Sequence, residues 1–198
     1  MSDTPRPGRN EYYMSIAMAV RSRANCLGNK VGALIVVGDR VVSTGYNGTP
    51  GGMTNCLDGG CDRCANREKY QSGTSYDLCI CVHAEQNCLL SAARFGIAVE
   101  GGVMYTTMRP CFGCTKELLQ AGIDCVYYLH DWRYPDETVQ NAYEKLQNRI
   151  PRGLKHIDMP DPNGAWAVSA LRDRVAAELE PAVDPDNGHP ARRVKVPE

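Results

Sequence analysis

His83-Ala84-Glu85 is followed, 25 residues after Glu85, by Pro110-Cys111-Phe112-Gly113-Cys114. Together the two segments offer one imidazole, two ionisable thiols and one carboxylate. One histidine and two cysteines suit three positions around a tetrahedral zinc ion, with the fourth left open to water. A carboxylate that is not itself a ligand can then move protons to and from that water. The spacing fits this division of labour. Cys111 and Cys114 are three residues apart, so both point from one face of a helical turn. Glu85 is two residues past His83, which turns it away from the direction of the imidazole and toward whatever fills the open position. Taken alone, a Cys-x-x-Cys also suits half of a structural zinc site or a redox pair, and a lone His-x-Glu is common by chance.

The elements that must position these groups can be read from periodicity and punctuation. His83 to Phe95 reads as a helix stopped by Gly96, and Cys111 to Ala121 as a second helix introduced by Pro110 and closed by Gly122. Both ligand sets then sit at helix N-termini, where unpaired N–H groups and the helix dipole favour thiolate over thiol. In this context, His-x-Glu followed by Pro-Cys-x-x-Cys is the signature of zinc-dependent deaminases. Upstream, Asn10 is placed to cap a helix running to about Ala24, with Tyr13, Ile16, Ala17 and Val20 on its apolar side. Val31–Val37 and Arg40–Gly45 are β-rich runs joined by a Gly38-Asp39 hairpin signal. The stretch from Tyr46 to Asp77 has no clear period and reads as a long loop, of the kind that carries function or a metal. Further strands are expected near Val103–Thr107 and Asp124–Leu129, and a helix over Asp136–Gln147. Strands alternating with helices predict an α/β fold, a three-layer α/β/α sandwich with a central mixed sheet. The expected organisation is a catalytic domain over 1–150 and a C-terminal extension over 151–198. The extension would hold a short helix at Ala165–Glu180 and a disordered tail, whose Arg192-Arg193-Val194-Lys195 cluster reads as solvated charge.

Composition narrows the classes of function. The 198-residue chain is 43% hydrophobic, carries a formal net charge of −1 and has no apolar run of membrane-spanning length. Without a dense basic run it is a poor binder of long nucleic acid, whose affinity needs many Lys and Arg contacts. Met1–Asn10 is polar and does not read as a signal peptide, so a cytoplasmic location is expected. Ten cysteines in such a chain point to metal ligation in a reducing compartment and not to a disulfide framework. Cys88 and Cys125 fall in helix and strand patterns and read as small core residues. Cys26, Cys56, Cys61, Cys64, Cys79 and Cys81 are too many and too closely spaced for that explanation.

The chain resembles the cytidine deaminase superfamily and, within it, the bacterial and phage deoxycytidylate (dCMP) deaminases, including the late-competence type. The resemblance rests on Arg21-Ser22 with Cys26, on Val31-Gly32-Ala33, and on Thr44-Gly45-Tyr46-Asn47-Gly48-Thr49-Pro50. It rests further on His83-Ala84-Glu85-Gln86-Asn87, on Pro110-Cys111 with Cys114, and on Ala121-Gly122-Ile123; together these span about two-thirds of the sequence. It implies a hydrolase acting on a cyclic amidine C–N bond, converting dCMP to dUMP and ammonia and feeding thymidylate synthesis. His83, Cys111 and Cys114 would hold catalytic zinc and Glu85 would shuttle protons. Asn47 matches a sugar-binding position, although alone it reads as a turn residue holding its own backbone. Tyr134 matches an aromatic near sugar and phosphate, while Arg109, Arg133 and Lys30 are candidate phosphate partners. Arg94 resembles a position near a nucleotide effector site. A second, structural zinc is implied at Cys26, Cys56 and Cys79, with Cys61 or Cys64 as fourth ligand; the presence of Cys81 leaves that set ambiguous. The resemblance also implies dCTP and dTTP effectors and a homo-oligomer, usually a hexamer. Deamination of dCTP, a modified dCMP, a free nucleoside, a nucleobase, a pterin precursor or tRNA shares the zinc chemistry. A non-catalytic zinc-binding competence-type protein is the reading from a different class, and the presence of Glu85 argues against it.

Overall fold

The computed structural model describes residues 6–70, 75–169 and 171. The strand β1 (Gly32–Val37) lies inside the sheet and its residues are almost all buried, as expected of an apolar run covered on both faces. The tight turn at Gly38-Asp39, both with positive φ, returns the chain as β2 (Arg40–Tyr46), antiparallel to β1. The sheet continues with β3 (Val103–Met108), antiparallel to β1, then β4 (Cys125–His130) and β5 (Leu154–His156), each parallel to its neighbour. The order β2-β1-β3-β4-β5 makes a mixed five-stranded sheet.

Strand alternation sorts the side chains onto two faces. On one face Leu34, Val36, Tyr105 and Leu129 join Tyr13, Met14 and Ala17 of α1 (Arg9–Arg21) in a single apolar cluster. Ala33, Gly45 and Thr106 lie in register on the opposite face, beneath α3 (Ala84–Arg94). There the helix backbone approaches so closely that a Cβ on Gly45 would lie 2.3 Å from the Ala84 carbonyl oxygen. Next come α4 (Phe112–Gln120), packed on α3, and α5 (Glu137–Gln147), packed on α4. Gly96 and Gly122, with φ of 65° and 72°, end α3 and α4 as expected, because a left-handed residue there lets the following amide close the last turn. The architecture is the expected three-layer α/β/α sandwich with a mixed sheet.

Several local expectations need correction. Asn10 is not a cap: α1 begins after Gly8, whose N–H donates to Glu11 Oε2 at 2.9 Å, and Asn10 Oδ1 accepts from the Tyr105 hydroxyl at 2.8 Å. The helix ends at Arg21, short of Ala24; it buries Tyr13 and Ala17 as expected and Met14 and Arg21 besides, while Ile16 and Val20 are half-buried. The long loop contains a short helix α2 (Asp62–Ala65) and 3₁₀ turns at Cys56–Asp58, Arg67–Lys69 and Tyr76–Leu78. The sheet also extends past Ile150: β5 belongs to a compact unit running to Pro160. From Asp161 a separate unit begins, in which α6 (Gly164–Ala167) is helical. The remainder of the helix expected at Ala165–Glu180, and the tail with Arg192 and Arg193, lie outside the described residues.

Candidate active site and metal centres

His83 and Cys111 are the N-cap residues of α3 and α4, so each ligand set opens a helix. The Gln86 side chain accepts from the His83 N–H at 2.9 Å and holds the start of α3. The α4 entry is held from the other side. The Tyr143 hydroxyl donates to the Pro110 carbonyl at 2.6 Å and Gln147 Nε2 donates to the same oxygen at 3.1 Å, from α5. Both α5 residues are buried, so each bond contributes about 1 kcal/mol net, and losing either partner costs more. No signal in the α5 sequence beyond its apolar stripe marks Tyr143 and Gln147 for this task.

This scaffold brings His83 Nδ1 to 3.4 Å from both Cys111 Sγ and Cys114 Sγ, with all three ligand atoms within 4.8 Å of one another. Ligands at zinc–nitrogen and zinc–sulfur bond lengths on a tetrahedron lie about 3.6 Å apart, so the donor set and its spacing fit zinc. Glu85 is buried beside it, its Oε2 3.6 Å from Cys114 Sγ. Its Oε1 is 2.9 Å from the Thr106 hydroxyl, which also lies 3.1 Å from the Met108 carbonyl and can donate to one of them at a time. Burial pushes the Glu85 carboxyl up from its ordinary value. Burial works to lower the His83 pKa, but the adjoining Cys111 thiolate and Glu85 outweigh it and bring the ring to about 9. Cys111 is brought down to about 4, first by the hydrogen bond from Cys114, whose own thiol is correspondingly pushed up. The cluster therefore holds protons among strongly coupled donors, and a divalent cation binding there must displace them.

The expected substrate residues are arranged unevenly. Tyr134 lies at the site: its hydroxyl accepts from Phe112 N–H, in the first turn of α4, at 3.2 Å. Its ring makes edge contacts with Trp132 and Tyr143. Asn47 is buried and its amide is engaged with backbone, accepting from Val31 N–H and donating to the Asn29 carbonyl, both at 2.8 Å. That is the backbone-holding arrangement of a turn residue. Arg109 donates from Nε to Gln147 and from Nη1 to Asp131, and stacks against Tyr128 and Tyr143, so it organises the α4 entry. Lys30 is buried, whereas Arg133 is exposed. Arg94 lies at the exposed end of α3, over the Phe95 ring.

The remaining cysteines assemble differently from the expected set. Cys26, Cys56, Cys64 and Cys81 form one group of mutually close sulfurs, and Cys61, Cys64, Cys79 and Cys81 form another. Cys79 therefore pairs with Cys61 and Cys64 and does not join Cys26 and Cys56. Cys81, which the expected ligand set omitted, belongs to both groups. The Cys79-x-Cys81 doublet leaves the set ambiguous in the sequence, and spacing alone does not choose between its two members. Cys88 and Cys125 are buried core residues, as expected.

Comparison with known proteins bears on this geometry. The model of the cytidine and deoxycytidylate deaminase zinc-binding region matches residues 7–130, more than half of the chain. The deoxycytidylate deaminase of Schizosaccharomyces pombe is 38% identical over 149 residues, covering 74% of this chain and 45% of that protein. A deoxycytidylate deaminase of Mycobacterium phage D29 is 37% identical over 131 residues, covering 62% and 95%. The chain thus spans under half the length of the Schizosaccharomyces pombe relative and nearly all of the phage one. Among solved structures, the dCMP deaminase of cyanophage S-TIM5 in complex with dCMP and dUMP superposes with a TM-score of 0.57. It is 29% identical, over 78% of this chain and 99% of that one. No helix among the described residues is long and apolar enough to cross a membrane. By the extent of the family match and by these relatives, the chain belongs to the cytidine and deoxycytidylate deaminases, within their zinc-binding region.

Proposed function

We propose that this protein is a zinc-dependent deaminase that hydrolyses dCMP to dUMP and ammonia. The observation that carries the reading is the convergence of His83 Nδ1, Cys111 Sγ and Cys114 Sγ beside the buried carboxylate of Glu85. His83, Cys111 and Cys114 would hold the ion. When bound, zinc supplies Lewis-acid activation of a water molecule at the open position. Glu85 accepts the water's proton as its oxygen adds to C4 of the cytosine. It delivers that proton to ring N3, then takes the second proton from the new C4 hydroxyl and passes it to the amine, so the C–N bond breaks, ammonia leaves and the C4 carbonyl of uracil remains. The Thr106 hydroxyl holds Glu85 Oε1 in place for this transfer.

The choice of a nucleotide over a free base is supported by the names of the relatives and by the dCMP and dUMP bound in the cyanophage structure. Tyr134 and Trp132 form an aromatic wall beside the start of α4, suited to line the sugar end of the substrate, and exposed Arg133 is the phosphate partner of choice in the same segment. A second, structural zinc is assigned to the cysteine-rich loop. The exposed apolar residues Leu90, Phe95 and Ile97 on and after α3 support a homo-oligomer, and the Arg94 end of α3 is the candidate effector position for dCTP or dTTP. A panel of cytidine, dCMP, CMP, dCTP and guanine, followed for ammonia release with and without dCTP and dTTP, tests the assignment. The expected result is turnover of dCMP in preference to the others. Turnover of only the unphosphorylated substrates contradicts it.

A further inference from the structure

The six loop cysteines are more than a mononuclear site needs. Zinc in a structural site takes four thiolates at about 2.3 Å, which puts the sulfurs about 3.8 Å apart. The observed Sγ–Sγ separations are 4.0 Å for Cys26–Cys64, 3.8 Å for Cys61–Cys79 and 3.7 Å for Cys64–Cys79. Each tetrad is complete, and Cys64 and Cys81 belong to both. Cys81 Sγ lies within 4.8 Å of the sulfurs of Cys26, Cys56 and Cys64 in one tetrad and of Cys61, Cys64 and Cys79 in the other. A single ion would leave either Cys26 and Cys56 or Cys61 and Cys79 as thiols in an interior where Cys56 and Cys61 are fully buried. Two ions sharing the Cys64–Cys81 edge use all six sulfurs.

We propose that the loop holds a binuclear zinc centre, with Cys26 and Cys56 as end ligands of one ion, Cys61 and Cys79 as end ligands of the other, and Cys64 and Cys81 bridging both. Six thiolates and two divalent cations leave a net charge of −2, and the surroundings answer that charge with backbone donors. Leu27 N–H points to Cys56 Sγ and Gly28 N–H to Cys26 Sγ, both at 3.3 Å. The centre ties three separated pieces of chain: the segment after α1, the loop around α2, and Cys79–Cys81. Cys81 is two residues before His83, and Val82 between them is fixed by paired hydrogen bonds to Gly48 at 2.9 and 3.2 Å. The binuclear centre is thereby the anchor that delivers His83 to α3. This goes beyond a single structural zinc and does not depend on which substrate the enzyme deaminates.

The test is cadmium-113 NMR of the full chain after exchange of zinc for cadmium. The expected spectrum has two all-thiolate resonances split by coupling to each other through the shared sulfurs, with a separate resonance from the His83 site. One all-thiolate resonance, two unsplit ones, or cysteines recovered as disulfides would overturn the proposal. Cys81→Ser is expected to disturb both thiolate resonances and Cys56→Ser only one. Because either variant could unfold, X-ray absorption at the zinc edge of the unmodified protein supplies a second reading. It should find a zinc–zinc scattering path, and elemental analysis of the same sample should find three zinc ions per chain; two ions per chain, or no such path, would refute the bridge. Neither measurement uses turnover, so a failure of the deaminase reading is seen separately, as a missing ammonia signal.

Discussion

At the scale of single residues, the chemistry depends on a few side chains held by partners remote in sequence. Glu85 can relay protons only if its carboxylate stays aimed, and the nearest group that aims it is the Thr106 hydroxyl on β3, 2.9 Å away. Thr106→Val keeps the volume and removes that donor. We expect kcat to fall about tenfold, the loss of roughly 1.4 kcal/mol, with zinc content unchanged. An unaltered kcat would show that Thr106 does not position Glu85. His83, Cys111 and Cys114 were legible in the sequence because their geometry is local: a cap residue and two positions of one helical turn. The side-chain engagements of Asn47 and Arg109 were not. Their partners, Val31, Asn29, Gln147 and Asp131, come from other parts of the fold, and no spacing rule reports where those will lie.

At the scale of elements, the site depends on how closely α3 approaches the sheet. Gly45 on β2 permits that approach, since a Cβ there would meet the Ala84 carbonyl oxygen at 2.3 Å and the Cys88 nitrogen at 2.6 Å. Gly45→Ala should cost about 2–3 kcal/mol, measured by urea unfolding, and should weaken zinc retention at His83 because α3 must shift. The β1–β2 turn is locked to α1 by Asp39, whose carboxyl is held below its ordinary value by the Tyr13 hydroxyl and then by Arg9. Since the folded pKa lies below the unfolded one, this contribution is complete above the unfolded value and is lost as pH falls through the folded value. The stability difference between the wild type and Asp39→Asn should be constant from about pH 5 to 7 and shrink below the unbound carboxyl's 3.8. A difference that grows on acidification would contradict the assignment. Long, strongly periodic elements were legible in the sequence to within a few residues at their ends. The strand β5 was missed because three residues show no alternation, and only pairing with β4 defines Leu154–His156 as a strand.

At the scale of the molecule, the sheet fixes α3 and α4 with their N-termini converging, and the cysteine-rich loop closes around the segment that leads into α3. The composition of the loop marked it as one that carries function or a metal, but the grouping of its cysteines was not legible, because contacts between Cys26, Cys64 and Cys81 are set by folding and not by spacing. The central claim is that this assembly deaminates dCMP with Glu85 as the proton carrier. The most direct measurement compares the zinc-loaded wild type with Glu85→Gln at matched zinc content, following dUMP and ammonia formed from dCMP. The account predicts equimolar dUMP and ammonia from the wild type and a kcat lower by about 10²–10⁴ in the variant. Absence of dCMP turnover by the zinc-loaded wild type, or a variant as fast as the wild type, would contradict it.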